Sequence, residues 1–297
     1  MAGETASGRD IVALGRHAEA VGLDSLWLVD HFAYEPYADE AAWGHVYPEE
    51  WKGVMVGFWE CWTLAAALAA VTQRVEIGTL VTNTGYRNPG LLAAIANSVD
   101  ELSHGRLILG VGAGDFRSEH EAFGFPWDRR VGRFEEALQI VRPLLKGEQV
   151  TFSGEHYQTR NAVVRPLGPR PDGPPILIGL LEGGPRMRRL VAQYADHWNC
   201  WLVGGREYRA SHESIVRACE QHGRDPTTLV KNAAIGIRLP GHGVDAADVN
   251  PWEGSTDELA DRLGRFLEQD VDHVVVWLDP STEAGIEALA RVLERIS

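Results

Sequence analysis

The 297-residue chain has few cysteines: Cys61, Cys200 and Cys219 are its only three, and they lie far apart. An odd number of distant cysteines argues against a disulfide framework and against a clustered zinc site. We therefore expect reduced thiols, most of them buried in the folded protein.

Positive charge and long apolar runs are also scarce. The chain has 28 Lys and Arg against 42 Asp and Glu, a net charge of −14, and no basic run offers a patch for nucleic acid or an anionic membrane. No apolar run approaches the roughly 18 residues of a membrane span, and the opening residues MAGETASGRD lack the features of a signal peptide. These features predict a cytoplasmic protein that binds neither nucleic acid nor membrane.

The sequence lacks the common motifs of metal and nucleophilic catalysis. It contains no His-x-His or His-Glu-x-x-His pattern and no Gly-x-Ser-x-Gly elbow. We interpret the isolated Glu119-His120-Glu121 as the solvated face of a helix. The run from Gly110 to Gly114 is similar to part of a dinucleotide-binding fingerprint but does not complete it. We therefore expect no metal, and we expect an organic cofactor to carry the chemistry.

Strand-like runs alternate with helical patterns along the chain, which is typical of a parallel sheet. The predicted strands are 25–29, 75–81, 106–111, 175–178, 197–202, 232–239 and 273–278. The predicted helices are 10–21, 63–72, 89–102, 129–145, 185–194, 207–222, 256–268 and 283–296. This alternation predicts an α/β protein, a TIM (β/α)8 barrel with insertions, in a single domain over residues 1–297. A doubly wound open sheet is the alternative.

The predicted strands number one fewer than a (β/α)8 barrel requires, because the chain opens on a helix where a first strand would precede it. Either the start is misassigned and a strand is missing, or the barrel closes with a gap. Two insertions break the alternation. Residues 32–60 are rich in aromatic residues, including Trp43 and Tyr47. They predict either a lid whose aromatic walls suit a planar ring and an apolar substrate, or an oligomer interface. Residues 147–174 contain VTFSGEHYQ, which predicts a hairpin turning at Ser153-Gly154.

The active site of such a barrel lies at the carboxyl ends of its strands. Asp30 and His31 follow the first predicted strand, and this pair can donate or accept a proton beside a bound ligand. The stretch LILGVGAGDF, residues 107–116, ends a buried strand with alternating glycines and then Asp115. Glycines leave the backbone uncovered by side chains. This predicts either a tight turn with a solvated Asp115, or the close approach of a flat ligand on which Asp115 acts.

The stretch GLLEGGPR, residues 179–186, predicts an anion site. A late strand ends at Gly179, and Gly183 and Gly184 precede the start of a helix whose unpaired backbone N–H groups favour an anion. Arg186 adds positive charge at the same place. A cofactor phosphate is the expected ligand. The alternative is that the Gly-Gly-Pro sequence only ends one element and begins the next.

Several blocks of the chain together resemble the bacterial-luciferase-like flavin and deazaflavin oxidoreductases, in the order found in that family. They include GLDSLWLVDHF, VDELSHGRLILGVGAGDFRSEHEAFGFP, VTFSGEHY, PPILIGLLEGG and YADHWN. The resemblance extends from about Asp10 to Trp201, and the last third is similar only in its alternation of strands and helices. It implies a TIM barrel that binds FMN or the deazaflavin coenzyme F420, with the greater similarity to the F420-dependent branch.

The resemblance also implies roles for individual residues. Asp30 and His31 would face the ring and the substrate, and Asp115 would protonate the substrate beside the ring. A non-prolyl cis peptide between Leu80 and Val81 would support the ring from behind. The remaining cofactor contacts would come from the glycine-rich strand ends: Gly112, Ala113 and Gly114 at the ring, and Gly179, Gly183, Gly184 and Arg186 at the phosphate.

The activity implied by the resemblance is hydride transfer between F420 and an organic small molecule. His31 and Asp115 would manage the accompanying proton. One alternative is an FMN-dependent luciferase-like monooxygenase that uses O2 and needs a flavin reductase as partner. Another is a non-catalytic relative that binds a flavin. Homodimers are usual in the family, so we expect either a homodimer or a monomer.

Overall fold

The computed structural model describes residues 7–38, 51–180, 183–202, 207–240 and 251–296. The strands in this part of the chain are β1 (Ser25–Leu28), β2 (Ala33–Tyr34), β3 (Val56–Gly57), β4 (Glu76–Thr79), β5 (Thr82–Asn83), β6 (Leu107–Gly112), β7 (Val150–Ser153), β8 (Gln158–Ala162), β9 (Ile176–Gly179), β10 (His197–Trp201), β11 (Val230–Arg238) and β12 (His273–Asp279). The α-helices are α1 (Gly8–Ala20), α2 (Cys61–Val71), α3 (Pro89–Leu102), α4 (Arg117–Phe123), α5 (Arg130–Leu145), α6 (Pro185–Tyr194), α7 (Tyr208–Gln221), α8 (Thr256–Leu267) and α9 (Glu283–Leu293).

The main sheet is parallel and follows the order of the chain. Strands β1, β4, β6, β9, β10, β11 and β12 pair in that sequence, and β5 adds a short pairing beside β6. A doubly wound sheet would reverse direction at a switch point, whereas this order runs steadily around a nearly closed barrel. The barrel prediction is therefore confirmed and the open-sheet alternative is wrong. All seven predicted strands are present, with ends that shift by two residues or fewer.

The edges of this sheet are β1 and β12, and no backbone ladder joins them within the described residues. Side chains connect them instead. Ser25 Oγ lies 2.9 Å from His273 Nε2, and the Trp27 indole N–H donates to Ser25 Oγ at 2.8 Å. The Trp27 and His273 rings also meet edge to face, with centroids 5.7 Å apart. Within the described residues, the edge strands β1 and β12 are therefore bridged by polar and aromatic contacts, and the two explanations for the absent first strand both stay open.

The hydrophobic core lies between the barrel sheet and the surrounding helices. Every residue of β6 is buried, because a parallel strand is covered on both faces. Leu107, Leu109 and Val111 pack into the cluster formed with the helices. Gly110 and Gly112 alternate with them and therefore face the inside of the barrel.

Local sequence signals begin the helices where they were predicted. The Asn88 side chain accepts the Gly90 N–H at 2.9 Å, and Pro89 occupies the first turn of α3, where its missing N–H costs nothing. Ser255 and Glu258 form a capping box at the start of α8. The eight predicted helices are all present with ends within three residues. The helix implied at Glu119-His120-Glu121, for which no bounds were predicted, is α4.

The hairpin predicted within residues 147–174 is confirmed. Strands β7 and β8 are antiparallel, and the Gly154 N–H donates to the Tyr157 carbonyl at 3.0 Å. The carboxylate of Glu136 on α5 accepts the backbone N–H groups of the turn, from Glu155, His156 and Tyr157 at 2.7–2.9 Å. The Glu136 carboxylate therefore holds the turn of the hairpin against α5.

The cysteines and the helix lengths agree with what the composition predicts. Cys61, Cys200 and Cys219 are all free and buried, so the prediction of buried thiols is confirmed. In the described ranges, no helix has the length and apolar character needed to cross a membrane.

Candidate active site

The ends of β1, β4 and β6 bring three predicted segments together. These strands are neighbours in the barrel, so the residues that follow them meet at one rim. The backbone N–H of Asn83, after β4, donates to Asp30 Oδ2 at 3.1 Å. His31, after β1, contacts Glu119 on the helix that follows β6. The rim is thus joined by hydrogen bonds between groups that are far apart in sequence.

Asp30 is buried, with 2% of its surface exposed. Arg87 donates to both of its oxygens, with Nη1 to Oδ2 at 2.6 Å and Nη2 to Oδ1 at 2.9 Å. Arg87 Nη2 also donates to Glu60 Oε1 at 2.7 Å. Burial raises the pKa of Asp30, and the hydrogen bonds and charge of Arg87 oppose that shift. Both oxygens of Asp30 are therefore occupied by protein donors. Arg87 was not among the site residues predicted from the sequence.

His31 places one ring nitrogen against an acid and leaves the other available. Its Nδ1 lies 2.8 Å from Glu119 Oε2, and its side chain is 17% exposed. No hydrogen bond to Nε2 is formed within the described residues. Burial lowers the pKa of His31, but the bond to Glu119 and the charges of Asp115, Glu119 and Asp30 outweigh it and leave the pKa above its usual value. Nε2 is therefore the atom through which this imidazole can exchange a proton.

Glu119 is fully buried and accepts hydrogen bonds at both oxygens. Oε1 accepts the backbone N–H groups of Phe32 at 2.5 Å and Ala33 at 3.1 Å. Oε2 accepts from His31 and from the Tyr86 hydroxyl. Burial raises the pKa of Glu119, but these hydrogen bonds and the His31 charge outweigh it and lower the pKa below its usual value. Glu119 is therefore an ionised carboxylate inside the protein.

The prediction that Glu119-His120-Glu121 forms a solvated helix face is therefore wrong for its first two residues. Glu119 and His120 are both fully buried, and the side chain of Glu121, 58% exposed, pairs with Arg117. The cause is the short helix α4, which turns one side toward the loop after β1. Residues 31 to 33 of that loop donate hydrogen bonds to Glu119. These donors lie 86 to 88 residues before Glu119 in the sequence, so the local pattern around Glu119 did not reveal them.

His120 is a neutral imidazole that orients Asn83. Its Nδ1 lies 3.0 Å from the Pro126 carbonyl oxygen, and a carbonyl can only accept, so Nδ1 carries the proton. Its Nε2 then accepts from Asn83 Nδ2 at 2.8 Å. Burial lowers the pKa of His120, which favours this neutral form. His120 thus fixes the side chain of Asn83, whose backbone N–H binds Asp30.

Aromatic rings surround His31. Tyr34, Phe58 and Phe116 lie with ring centroids 5.3, 5.6 and 5.1 Å from the imidazole. Tyr34 also stacks on Phe116 at 4.1 Å. Tyr34 and Phe58 come from the insertion at 32–60, so its described part contributes aromatic rings beside His31. Its role as a lid or as an oligomer interface stays a prediction. Trp43 and Tyr47 of the same insertion lie outside the described residues.

Packing within the protein explains the alternating glycines at the end of β6 and just after it. The position of a Cβ at Gly112 would lie 2.7 Å from Val81 Cγ2, and a Cβ at Gly110 would overlap the Thr79 carbonyl oxygen. Gly114 has φ +87°, and its Cβ would lie 2.6 Å from Asn83 Nδ2 and 2.7 Å from His120 Nε2. Packing around the rim therefore requires glycine at these positions independently of any ligand.

The peptide between Leu80 and Val81 is cis, as the resemblance implied. The Val81 side chain lies against two glycine-bearing strand ends, since a Cβ at Gly179 would be 3.0 Å from Val81 Cγ1. Val81 is therefore packed between β6 and β9.

Asp115 follows this segment and is partly buried. Its Oδ1 accepts the Phe116 N–H at 3.0 Å, and Oδ2 has no hydrogen-bond partner within the described residues. Burial raises the pKa of Asp115, and the charge of His31 opposes the shift. A raised pKa favours the protonated acid, so Asp115 can hold a proton at this rim.

The predicted anion site has a helix start without a side-chain cap. Gly184 is the N-cap of α6, and no side-chain hydrogen bond caps it. Gly183 precedes it, and residues 181 and 182 lie outside the described residues. Arg186 is exposed and pairs with Glu135 at 2.7 Å, so an acid already compensates its charge. Phosphate binding by Gly179, Gly183, Gly184 and Arg186 stays a prediction.

Comparison with known proteins places these features in a family. A family model described as luciferase-like monooxygenase matches residues 1–242. The chain is 32% identical over 232 residues to the phthiodiolone/phenolphthiodiolone dimycocerosates ketoreductase of Mycobacterium tuberculosis, which covers 74% of this chain and 58% of the ketoreductase. The chain thus spans less than two thirds of that relative. It is 32% identical over 314 residues to the F420-dependent glucose-6-phosphate dehydrogenase of Amycolatopsis mediterranei, covering 95% and 87% of the two chains.

The fold also matches a solved structure. An F420-dependent secondary alcohol dehydrogenase in complex with an F420-acetone adduct superposes with a TM-score of 0.79 at 19% identity, over 98% of this chain and 96% of the dehydrogenase. At this level of identity the likeness concerns the fold, and it supports the TIM barrel.

Proposed function

The chain belongs to the luciferase-like monooxygenase family, and we propose that it is an F420-dependent oxidoreductase that interconverts an apolar ketone or aldehyde and the corresponding alcohol. The observation that carries the proposal is His31, which is held at Nδ1 by a buried carboxylate and has Nε2 available inside an aromatic wall. The relatives support it by their names: a ketoreductase, a glucose-6-phosphate dehydrogenase and a secondary alcohol dehydrogenase. All three names refer to chemistry at a carbon that bears oxygen.

The residues present at the rim fit a flat cofactor with polar edges and a phosphate. Thr82 Oγ1 and Asn199 Nδ2 are buried and have no hydrogen-bond partner within the described residues, so both can bind a polar ring edge. The uncapped start of α6 suits a phosphate. The residues that would hold the cofactor are Asp30, Leu80, Val81, Gly112, Ala113 and Gly114 near the ring, and Gly179, Gly183, Gly184 and Arg186 near the phosphate. When bound, F420 supplies a two-electron carrier that gives or takes a hydride at the substrate carbon.

The protein's own residues manage the proton. Reduction of a carbonyl group needs a proton at oxygen to accompany the hydride at carbon, and Nε2 of His31 donates it. In the oxidative direction, neutral His31 accepts the hydroxyl proton at the same atom. The pKa of His31 above its usual value favours the donor form near neutral pH. Asp115 is the second candidate for this transfer because its raised pKa lets it hold a proton.

Asp30 supports the site and does not transfer the substrate proton. Both of its oxygens accept hydrogen bonds from Arg87, and one also accepts the Asn83 N–H. An acid saturated by donors in this way has little capacity to accept a substrate proton. We therefore propose that Asp30 holds the loop on which His31 stands, while His31 touches the reacting oxygen.

The wall around His31 favours an apolar substrate over a charged one. Tyr34, Phe58 and Phe116 present ring faces and edges to the imidazole, and ionic groups gain little beside such rings unless they are cations. Burial of apolar substrate surface against these rings contributes about 25 cal/mol per Å². A medium-sized ketone or secondary alcohol therefore fits this wall better than a sugar phosphate.

The first experiment is a fluorescence titration of the purified protein with F420 and, separately, with FMN. Micromolar binding of F420, followed by its reduction or oxidation with a panel of apolar alcohols and ketones, is the expected result. Preference for FMN with O2 consumption would replace the proposal with a luciferase-like monooxygenase that needs a flavin reductase. Stoichiometric F420 binding without turnover on any member of the panel would indicate a non-catalytic relative.

The roles of His31 and Asp115 are separated by isosteric variants. His31→Asn should lower kcat by about 10²- to 10⁴-fold, the range for general acid–base catalysis, with little change in F420 affinity. If Asp115→Asn retains the wild-type rate, Asp115 is not the proton donor. If the Asp115 variant loses activity and the His31 variant does not, Asp115 is the proton donor and His31 is not.

A further inference from the structure

We propose that Glu119 is a positioning residue: it holds the proton of His31 on Nδ1, so that Nε2 is the ring nitrogen presented to the substrate. This inference deepens the proposed function and rests on it for the identity of the substrate proton. It concerns a residue that the sequence pattern assigned to a solvated helix face and that the structure shows fully buried.

Hydrogen bonds occupy both carboxylate oxygens of Glu119. A carboxylate offers about four acceptor positions, and four protein donors use them. Phe32 and Ala33 donate to Oε1, and His31 and Tyr86 contact Oε2. Because two backbone N–H groups hold Oε1, the carboxylate cannot rotate away from the imidazole. A carboxylate that accepts at both oxygens is ionised, so the proton shared with His31 belongs on Nδ1.

The surroundings of His31 fix the ring in the same orientation. Phe116 and Tyr34 both meet the imidazole edge to face, with angles between the ring planes of 89° and 71°. A ring flip that exchanged Nδ1 and Nε2 would therefore collide with these aromatic rings. The remaining ionisable groups that act on the pair are Asp115 after β6, Asp30 beside His31, and Tyr86 and His120 near Glu119. Glu119 is the one of these acids that hydrogen-bonds the ring.

A simpler role for Glu119 would be structural, since it also ties the backbone of residues 32 and 33 to α4. A merely structural role predicts lower stability in a variant but the same tautomer and titration of His31 in the protein that remains folded. The two roles therefore differ in a property of the imidazole itself, which can be measured without cofactor or substrate.

The experiment is NMR of protein labelled with ¹⁵N-histidine, in the absence of cofactor, with the His31 signals assigned by comparison with His31→Asn. In the wild type, above its titration midpoint, His31 should be the Nδ1–H tautomer. In Glu119→Gln, the midpoint should fall by about one to three units, the effect expected for loss of one close opposite charge, and the tautomer preference should weaken. The pH profile of kcat/KM with the loaded enzyme should shift in the same direction, with KM changing less than kcat.

Glu121→Gln is the matched control, because it makes the same chemical change on the same helix at a side chain that is 58% exposed. It should leave the His31 midpoint and tautomer unchanged. An Nε2–H tautomer in the wild type would overturn the proposal even if the Glu119 variant does not fold, and so would an unchanged midpoint in a folded Glu119→Gln. Failure to bind F420 would overturn the proposed function and leave these imidazole signals as they are, so the two failures are distinguishable.

Discussion

Asp30 and Arg87 form a two-point ion pair beneath the candidate site, with nitrogen–oxygen distances of 2.6 and 2.9 Å. Their side chains are 1% and 9% exposed. In Asp30→Asn the buried Arg87 keeps Glu60 as an ionic partner but loses the charge that pairs with both of its terminal nitrogens. The free energy of unfolding should therefore fall by about 3 kcal/mol, the lower end of the range for a broken buried pair. Urea denaturation followed by circular dichroism measures this difference.

The control for this prediction is the exposed pair of Asp24 and Arg74, which lies at 3.4 Å with Asp24 87% exposed. Asp24→Asn makes the same change in solvent and should alter stability by no more than about 0.5 kcal/mol. Equal effects of the two variants would show that the buried pair contributes no more than a surface contact.

Gly114→Ala should be more destabilising than a left-handed backbone conformation alone explains. Gly114 has φ +87°, and its added Cβ would approach Asn83 Nδ2 and His120 Nε2 at 2.6 and 2.7 Å. Gly124→Ala is the comparison, because Gly124 has φ +75° with nothing within 4 Å of a Cβ. The conformational cost of about 1–2 kcal/mol is common to both, and overpacking at Gly114 should add about 1–3 kcal/mol. Thermal unfolding of the two variants measures the difference, and similar midpoints would contradict this packing argument.

The pair of His31 and Glu119 should make stability depend on pH in a defined window. The pKa of His31 is raised from 6.5, so its contribution is complete below 6.5 and is lost as pH rises through the folded-state pKa. The pKa of Glu119 is lowered from 4.5, so its contribution is complete above 4.5 and is lost as pH falls through the folded-state pKa. The advantage of wild type over Glu119→Gln in unfolding free energy should therefore be largest between pH 4.5 and 6.5. As pH rises through the folded-state pKa of His31, this difference in unfolding free energy should decrease. The decrease is about 1.4 kcal/mol for each unit by which the pKa of His31 is raised. An advantage that stays constant from pH 5.5 to pH 9 would contradict the pairing.

The three cysteines should be unreactive in the native protein. All three are buried, and burial raises the pKa of the Cys61 thiol well above its usual value, so little thiolate is available to react. A thiol-specific reagent at pH 8 should modify none of them within the time that modifies all three in urea. Rapid labelling of one thiol in the native state would show that its surroundings open locally.

Periodicity made most of the fold predictable. Strands such as 106–111 read as continuous apolar runs because both faces of a parallel sheet are covered, and helices such as 89–102 carry an Asn-Pro start that marks the first turn. The short strands β2, β3 and β5 were not predicted. Two-residue pairings carry too few side chains to show an alternation, and their pairing depends on the loop geometry around them.

The acids and bases of the site were only partly predictable. Asp30, His31 and Asp115 follow strands directly, so the barrel rule locates them. Glu119 lies on α4 and Arg87 in the connection before α3. Nothing nearby in sequence shows that His31 or Asp30 will be their partner. The available signal was the spacing of Glu119 from Asp115, since one helical turn beyond a strand end still lies at the rim.

The hydrogen bonds described around Asp30, His31 and Glu119 all join residues between 30 and 126. Strands β11 and β12 and helices α8 and α9 complete the barrel without taking part in that network. Within the described residues, the acid–base network of the candidate site is therefore carried by the first half of the barrel. The family model, which matches residues 1–242, includes every residue of this network.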